Sequence, residues 1–315
     1  MGHHHRRVCL PRPRLLACCV LPALLLLLLC ARSLLLPRRA EHDGHPPRSQ
    51  PRRSLVEVLV VGSVTRPAHL AATLAGLHAA GLTAHGFTEH SVPLCVVCDD
   101  GQFWSQGALY DTVDADLGVA PWTHKPRSWW CAQARPTAAL LAYLQGRSSG
   151  GGPTASAALL PDFLLVVDDD TFVNAARLAE LLVPLAGNTA PLYLGFAGHQ
   201  FRGLPGGRQP PFCYGGAGYA LNTAALLLLS RGDTLARCHA AKQGGRWCHF
   251  HSDWVVGQCL LRAHPSVACD WAHGGDLFVQ NVSLVPGGLA TCARDSITCH
   301  GSLSAEDLRR AYGVR

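Results

Sequence analysis

PDFLLVVDDDTFVN, running from Pro161 to Asn174, sets five apolar residues directly before three consecutive carboxylates, Asp168, Asp169 and Asp170. A short apolar run bounded by polar residues reads as a buried strand. Three adjacent negative charges at the end of such a strand repel one another and call for a counter-charge, which a hard divalent cation supplies through oxygen ligands. If the strand belongs to a parallel sheet, its carboxyl end opens on the crevice where α/β folds bind ligands. The bland alternative is an acidic turn that caps the next helix, since Asp is a favoured N-cap; three acids exceed what one cap requires.

On either side of this stretch the pattern alternates between strand and helix. Leu55 to Val61 (LVEVLVV) has the continuous apolar character of a strand covered on both faces. Pro67 to Ala80 carries helix formers, Pro93 to Val97 reads as a strand, Ala175 to Leu185 as a helix up to Pro184, and Leu192 to Gly195 as a short strand. This order predicts an α/β domain with a mostly parallel central sheet. Gly146 to Ala155 reads as a surface loop, and the Gly- and Pro-rich residues 199–211 as a loop near a site. No internal repeat is evident.

The first 53 residues differ from the rest. Leu15 to Leu36 is a nearly unbroken apolar run preceded by Arg6, Arg7, Arg12 and Arg14. It is long enough to cross a hydrocarbon core, which needs roughly 20 residues, and it outlasts the core of an ordinary secretory signal, the competing reading. The expected organisation is a cytosolic tail (1–14), a transmembrane signal anchor (15–36), a Pro- and Arg-rich stem (37–53) and a lumenal domain (54–315). Ten Arg against Glu41 and Asp43 give residues 1–53 a charge of +8, whereas 54–315 hold 17 basic and 19 acidic residues. The folded part therefore has no nucleic-acid footprint. Ten of the 14 Cys lie beyond the anchor, an even number that suits disulfides in an oxidising compartment. Structural zinc at Cys95 and Cys98 is the rival, without a second C-x-x-C at finger spacing. Asn281-Val282-Ser283 is an N-glycosylation tripeptide.

Four stretches in order resemble one family. VVDDDTFVN is similar to the metal-binding motif of the fringe-like and core-1-type β-1,3-glycosyltransferases. Val58 to His69 (VLVVGSVTRPAH) resembles their first strand and Thr-Arg turn, Tyr214 to Ala220 (YGGAGYA) their Gly-Gly-Ala-Gly segment, and His251 to Gly257 (HSDWVVG) the short motif that carries their catalytic base. The resemblance spans about residues 55–305. It implies a GT-A type, Rossmann-like nucleotide-sugar-binding fold, Mn2+, a UDP-sugar donor and inversion at the anomeric carbon. The expected activity is transfer of Gal or GlcNAc to a 3-hydroxyl of a glycan or glycoprotein acceptor. The expected location is the Golgi membrane as a single-pass type II protein; a homodimer is left open.

By the same resemblance, Asp170 is the direct metal ligand, Asp169 contacts the donor sugar or ribose, and Asp168 supports the cluster. Arg66 and Arg135 contact the donor, a task that suits the guanidinium fork; the alternative for Arg66 is a solvated turn residue. Gly215, Gly216 and Gly218 line donor and acceptor, where the lack of a Cβ permits close approach. Asp253 is the general base, with N-capping as its alternative. The last ligand is a His near the C-terminus, His300, with His273 as competitor. The pair Trp129-Trp130 departs from animal fringe sequences and fits packing or ligand-lining equally. Two rivals stand beside this reading. A non-catalytic lectin- or chaperone-like homologue would be expected to lose the acids or the base. A nucleotide-sugar hydrolase or metal phosphotransferase leaves the Gly segment and Asp253 unexplained together.

Overall fold

Strand β1 (Val56–Val61) buries every residue, and its side chains divide between two cores. Leu59 and Val61 face one apolar cluster while Val56, Val58 and Val60 face the other. Strand β3 (Phe163–Asp168) does the same, with Leu164 and Val166 on the first side and Phe163, Leu165 and Val167 on the second. The period-2 alternation of a strand, filled with apolar residues at both phases, makes a sheet covered on both faces. The computed structural model describes residues 54–88, 134–148, 155–197, 212–243, 252–270 and 272–314. The expected anchor (15–36), tail and stem, the strand at Pro93–Val97, the Trp pair and the 199–211 loop lie outside the described residues. No described helix is long and apolar enough to cross a membrane.

The main sheet has the order β2–β1–β3–β6–β5, with β2 at Thr83–Phe87, β5 at Tyr193–Gly195 and β6 at Tyr219–Asn222. β1 pairs in parallel with β2 and β3, whereas β6 is antiparallel to both β3 and β5. Four strands thus share one direction, as the sequence predicts, and β6 alone runs against them. The reversal has a functional result. Residues 215–218, which lead into β6, reach the sheet at the end where β1 and β3 deliver their last residues.

One face is covered by helices α2 (Arg135–Gly146), α4 (Thr223–Ser230), α5 (Thr234–Gln243) and α6 (Ser252–Ala263). The other carries α1 (Pro67–Ala79) and α3 (Ala175–Leu182). The predicted helix from Ala175 begins at the Asn174 cap, whose side chain accepts from the N–H groups of Ala176 and Arg177, and it tightens to a 3-10 turn at Val183–Leu185. A second sheet, β4–β8–β7, joins β4 (Thr171–Val173), β7 (Phe278–Val279) and β8 (Thr298–His300). Helices α7 (Gly288–Asp295) and α8 (Ala305–Tyr312) pack with it. Tyr312 locks the two parts: its ring lies against Gly76 of α1, where a Cβ would overlap it, and its hydroxyl accepts from the Val173 N–H at 2.9 Å.

Glu57 is the buried exception among the β1 side chains. Its Oε2 accepts from Tyr143 (2.9 Å) and Arg147 (2.6 Å) on and just after α2, and lies 2.7 Å from His85 Nε2 on β2. Burial alone would raise its pKa, but the hydrogen bonds of His85 and Tyr143 and the charge of Arg147 outweigh this and hold it below 4.5. A carboxyl depressed in the folded state contributes stability above its unfolded pKa and loses it as the pH falls through the folded value. Glu57→Gln should therefore cost ~2 kcal/mol at pH 7, discounted from a fully buried pair because Arg147 is partly exposed. The gap to wild type should narrow once the pH falls below about 4, the ordinary range of a Glu carboxyl. Urea unfolding at both pH values checks this, and an equal gap at both would show the charge of Glu57 to be irrelevant.

Candidate active site

The acidic triplet does not act as one cluster. β3 ends at Asp168, which pairs with Val61. The chain then turns through Asp169 and Asp170 and enters β4, whose first residue, Thr171, lies opposite His300 at the end of β8. This pairing carries the His300 ring to the acids: Nε2 is 3.4 Å from Asp170 Oδ1 and 3.9 Å from Asp168 Oδ2. One ligand atom from each of Asp168, Asp170 and His300 falls within 4.8 Å of the others. His300 Nδ1 donates to the Gln280 carbonyl at 2.8 Å, just after β7. That bond turns Nε2 toward the carboxylates, the arrangement by which outer partners orient a ligating histidine.

Asp169 turns the other way. Its side chain is 0% exposed; Oδ2 accepts from the Ser63 N–H at 3.1 Å and Oδ1 from Arg66 at 2.6 Å. Its carbonyl accepts from Thr73 Oγ1 at 2.8 Å. Both carboxylate oxygens are thus engaged inside the protein, and the donor contact expected of Asp169 has no solvent-facing oxygen to make it. Arg66 spans two acids, with its other terminal nitrogen 2.9 Å from Asp170 Oδ2.

The glycine segment bridges the two halves of the site. The Gly215 N–H donates to Asp253 Oδ2 at 3.0 Å. A Cβ at Gly216 would sit 2.7 Å from His300 Cε1, so only glycine lets the backbone lie on that ring. Gly218 has φ +83° and packs on Val167, and the carbonyls of Gly216 and Ala217 accept from Thr171 and Thr298. A disulfide from Cys213 to Cys269 anchors the start of the segment, and another from Cys292 to Cys299 stands immediately before His300. With Cys238–Cys259 they make three disulfides among the described residues.

Asp253 lies in the first turn of α6, nearly buried, and its Oδ1 accepts from the Trp254 N–H at 2.8 Å. Arg135 opens α2, which packs against α6. His273 stands apart: 58% exposed, its Nδ1 lies 2.6 Å from Asp270. The structure brings His300, and not His273, to the carboxylates.

The electrostatics fit a cation. Burial, with help from Asp170 and Asp169, pushes Asp168 up to about 7 against the opposing charge of His300; solvent access to 36% of that side chain tempers the effect. Burial would also raise Asp170, but His300 and then Arg66 hold it at about 2. Burial lowers His300, and the two carboxylates more than reverse this to about 9. Asp170 Oδ1 is buried and lacks a hydrogen-bond partner among the described residues, the mark of an oxygen facing a cation position. Two carboxylates and an imidazole make a donor set able to hold a divalent metal.

Three contributors escape sequence reading. The Gln280 carbonyl and the Ser63 N–H are main-chain groups that any residue would offer. The Tyr219 hydroxyl, buried on β6 without a hydrogen-bond partner among the described residues, lies within the Tyr214–Ala220 motif, whose reading in sequence rested on its glycines.

No family model matches the chain. Over 117 residues, 37% of this chain, it is 35% identical to the human chondroitin sulfate glucuronyltransferase, and the match spans 14% of that protein's length. In three dimensions it overlays on a glycosyltransferase involved in the glycosylation of the major capsid of PBCV-1 with a TM-score of 0.38 and 11% identity, covering 81% of this chain and 98% of that one. The chain is similar in sequence, over that limited stretch, to a glycosyltransferase.

Proposed function

We propose that the chain is a Mn2+-dependent, inverting β-1,3-glycosyltransferase that moves a hexosyl group from a UDP-sugar to a hydroxyl of a glycan or glycoprotein. The observation that carries this reading is the convergence of Asp168, Asp170 and His300 at the end of β3, joined by the Gly215–Gly218 segment to Asp253. When bound there, Mn2+ supplies charge neutralisation for a diphosphate leaving group. Asp168, Asp170 and His300 Nε2 would hold it. Asp253 takes the proton of the acceptor hydroxyl as that oxygen bonds to the anomeric carbon and the bond to UDP breaks. A single displacement of this kind inverts the centre and needs no second protonating residue.

The similarity to a glucuronyltransferase adds UDP-glucuronic acid to UDP-Gal and UDP-GlcNAc as donors to be tested. Arg135 is retained as a donor contact. Residues 15–36 are read as a signal anchor that sets the domain in the Golgi lumen, a placement supported by disulfides at Cys213–Cys269, Cys238–Cys259 and Cys292–Cys299.

The test is turnover of each UDP-sugar by the purified protein with Mn2+ or EDTA, with and without glycan acceptors. Turnover of one donor that EDTA abolishes and an acceptor increases supports the reading. Folded protein that binds no UDP in the presence of Mn2+ would instead point to a non-catalytic homologue. Donor hydrolysis indifferent to every acceptor would point to a hydrolase.

A further inference from the structure

We propose that Arg66 is a positioning residue for the metal ligand Asp170, tying down one carboxylate oxygen so that the other alone faces the cation. The inference rests on the metal-dependent reading of this site and assigns Arg66 a different task from the donor contact that sequence resemblance implies.

The geometry is a bracket. The turn after β1 is fixed by its own bonds: the Arg66 N–H donates to the Ser63 carbonyl at 3.0 Å, the Ser63 and Thr65 hydroxyls lie 2.8 Å apart, and the Arg66 carbonyl receives the His69 N–H at 3.1 Å where α1 begins. Pro67 at the first turn of that helix limits the freedom of the residue before it. From this base the Ser63 N–H grips one oxygen of Asp169 while Arg66 grips the other. The second prong of the guanidinium then reaches Asp170 Oδ2 at 2.9 Å. Asp170 Oδ1 is left buried, without a hydrogen-bond partner among the described residues, and 3.4 Å from His300 Nε2. A carboxylate pinned at one oxygen offers the other as a single ligand in a fixed direction.

The charges agree with this role. Because metal ligands bind deprotonated, with carboxylates ionised and His neutral, the three acids and the guanidinium would leave two net negative charges, which a divalent cation matches. Lysine would not serve equally, because an ammonium is a point charge and cannot span two carboxylates with a rigid fork.

The experiment titrates Mn2+ into the whole protein by electron paramagnetic resonance without nucleotide. It then measures UDP binding by calorimetry at saturating Mn2+. Wild type is compared with Arg66→Ala, Arg66→Lys and Asp170→Asn. Loss of an outer partner of a metal ligand typically costs ~10–100-fold in metal affinity. We expect a loss in that range for Arg66→Ala and little recovery with Lys, while UDP affinity at saturating Mn2+ stays within about threefold of wild type, under 1 kcal/mol. Removing Arg66 leaves Asp169 buried and unpaired, so Arg66→Met combined with Asp169→Asn serves as a second variant that removes both charges together; it should show the same Mn2+ loss. Unchanged or tighter Mn2+ binding in the folded variants overturns the proposal, and if UDP binding weakens at the same time the donor-contact role is restored. Wild type that binds Mn2+ no better than Asp170→Asn would overturn the metal reading itself, and this proposal with it.

Discussion

Asp170→Asn is expected to abolish measurable Mn2+ binding and to lower UDP-sugar turnover by about 10³ or more. A metal that stabilises a departing diphosphate contributes several kcal/mol to the transition state, and each 1.4 kcal/mol is a factor of ten. Asn keeps the size of the side chain but removes its charge, and it denies Arg66 one of its two anionic partners. The effect on the site should therefore exceed that of losing one ligand atom. His300→Ala should follow the same pattern, because Nε2 is the third converging atom. His273→Ala is the contrast: that ring is exposed and paired with Asp270, and its loss should leave Mn2+ binding and turnover within about twofold of wild type. Calorimetric titration of Mn2+ and initial rates with each variant decide the matter. Retention of Mn2+-dependent turnover by Asp170→Asn within tenfold of wild type would remove the centre from the mechanism.

Asp253→Ala should separate the second half of the site from the first. Removing a general base costs ~10²–10⁴-fold in rate, so kcat for transfer should fall in that range while Mn2+ affinity holds. Ala is a cleaner choice than Asn, because both oxygens of Asp253 accept from backbone N–H groups, at Gly215 and Trp254. An amide would turn its own N–H₂ toward one of those donors. The price of Ala is a Gly215 N–H without its partner, on a segment that also touches His300 through Gly216. A base role and a loop-holding role therefore predict different results. Loss of kcat alone, partly restored by added formate, marks the base. A parallel fall in Mn2+ affinity, with no rescue, would mark Asp253 as a strut for the glycine segment.

Much of this was legible because burial and charge leave local marks. FLLVV followed by three acids gave a strand and its ligand-bearing end, and LVEVLVV gave its neighbour. The direction of β6 was not legible: four residues, Tyr219–Asn222, carry no record of which way they pair. Nor was the splitting of the triplet, because the inward turn of Asp169 depends on Ser63 and Arg66, more than a hundred residues earlier in the chain. Resemblance favoured His300 over His273, but the strand pairing that carries it to the acids, Thr171 opposite His300, is a tertiary fact. The even number of cysteines beyond residue 53 pointed to oxidation but could not name partners. Cys292–Cys299 follows from the way α7 turns back into β8, which is a tertiary fact.

The pairing of β4 with β8 also sets when the centre can come into being. Arg66 and all three acids leave the ribosome long before β8, the strand that positions His300. A nascent chain therefore carries the acids without their histidine until β8 has been made. The same order governs inherited damage: an allele with a stop codon after position 170 and before position 300 still encodes the whole acidic motif but not His300. Screening such alleles by the presence of the motif would score as intact a gene whose product lacks the histidine that converges on the acids.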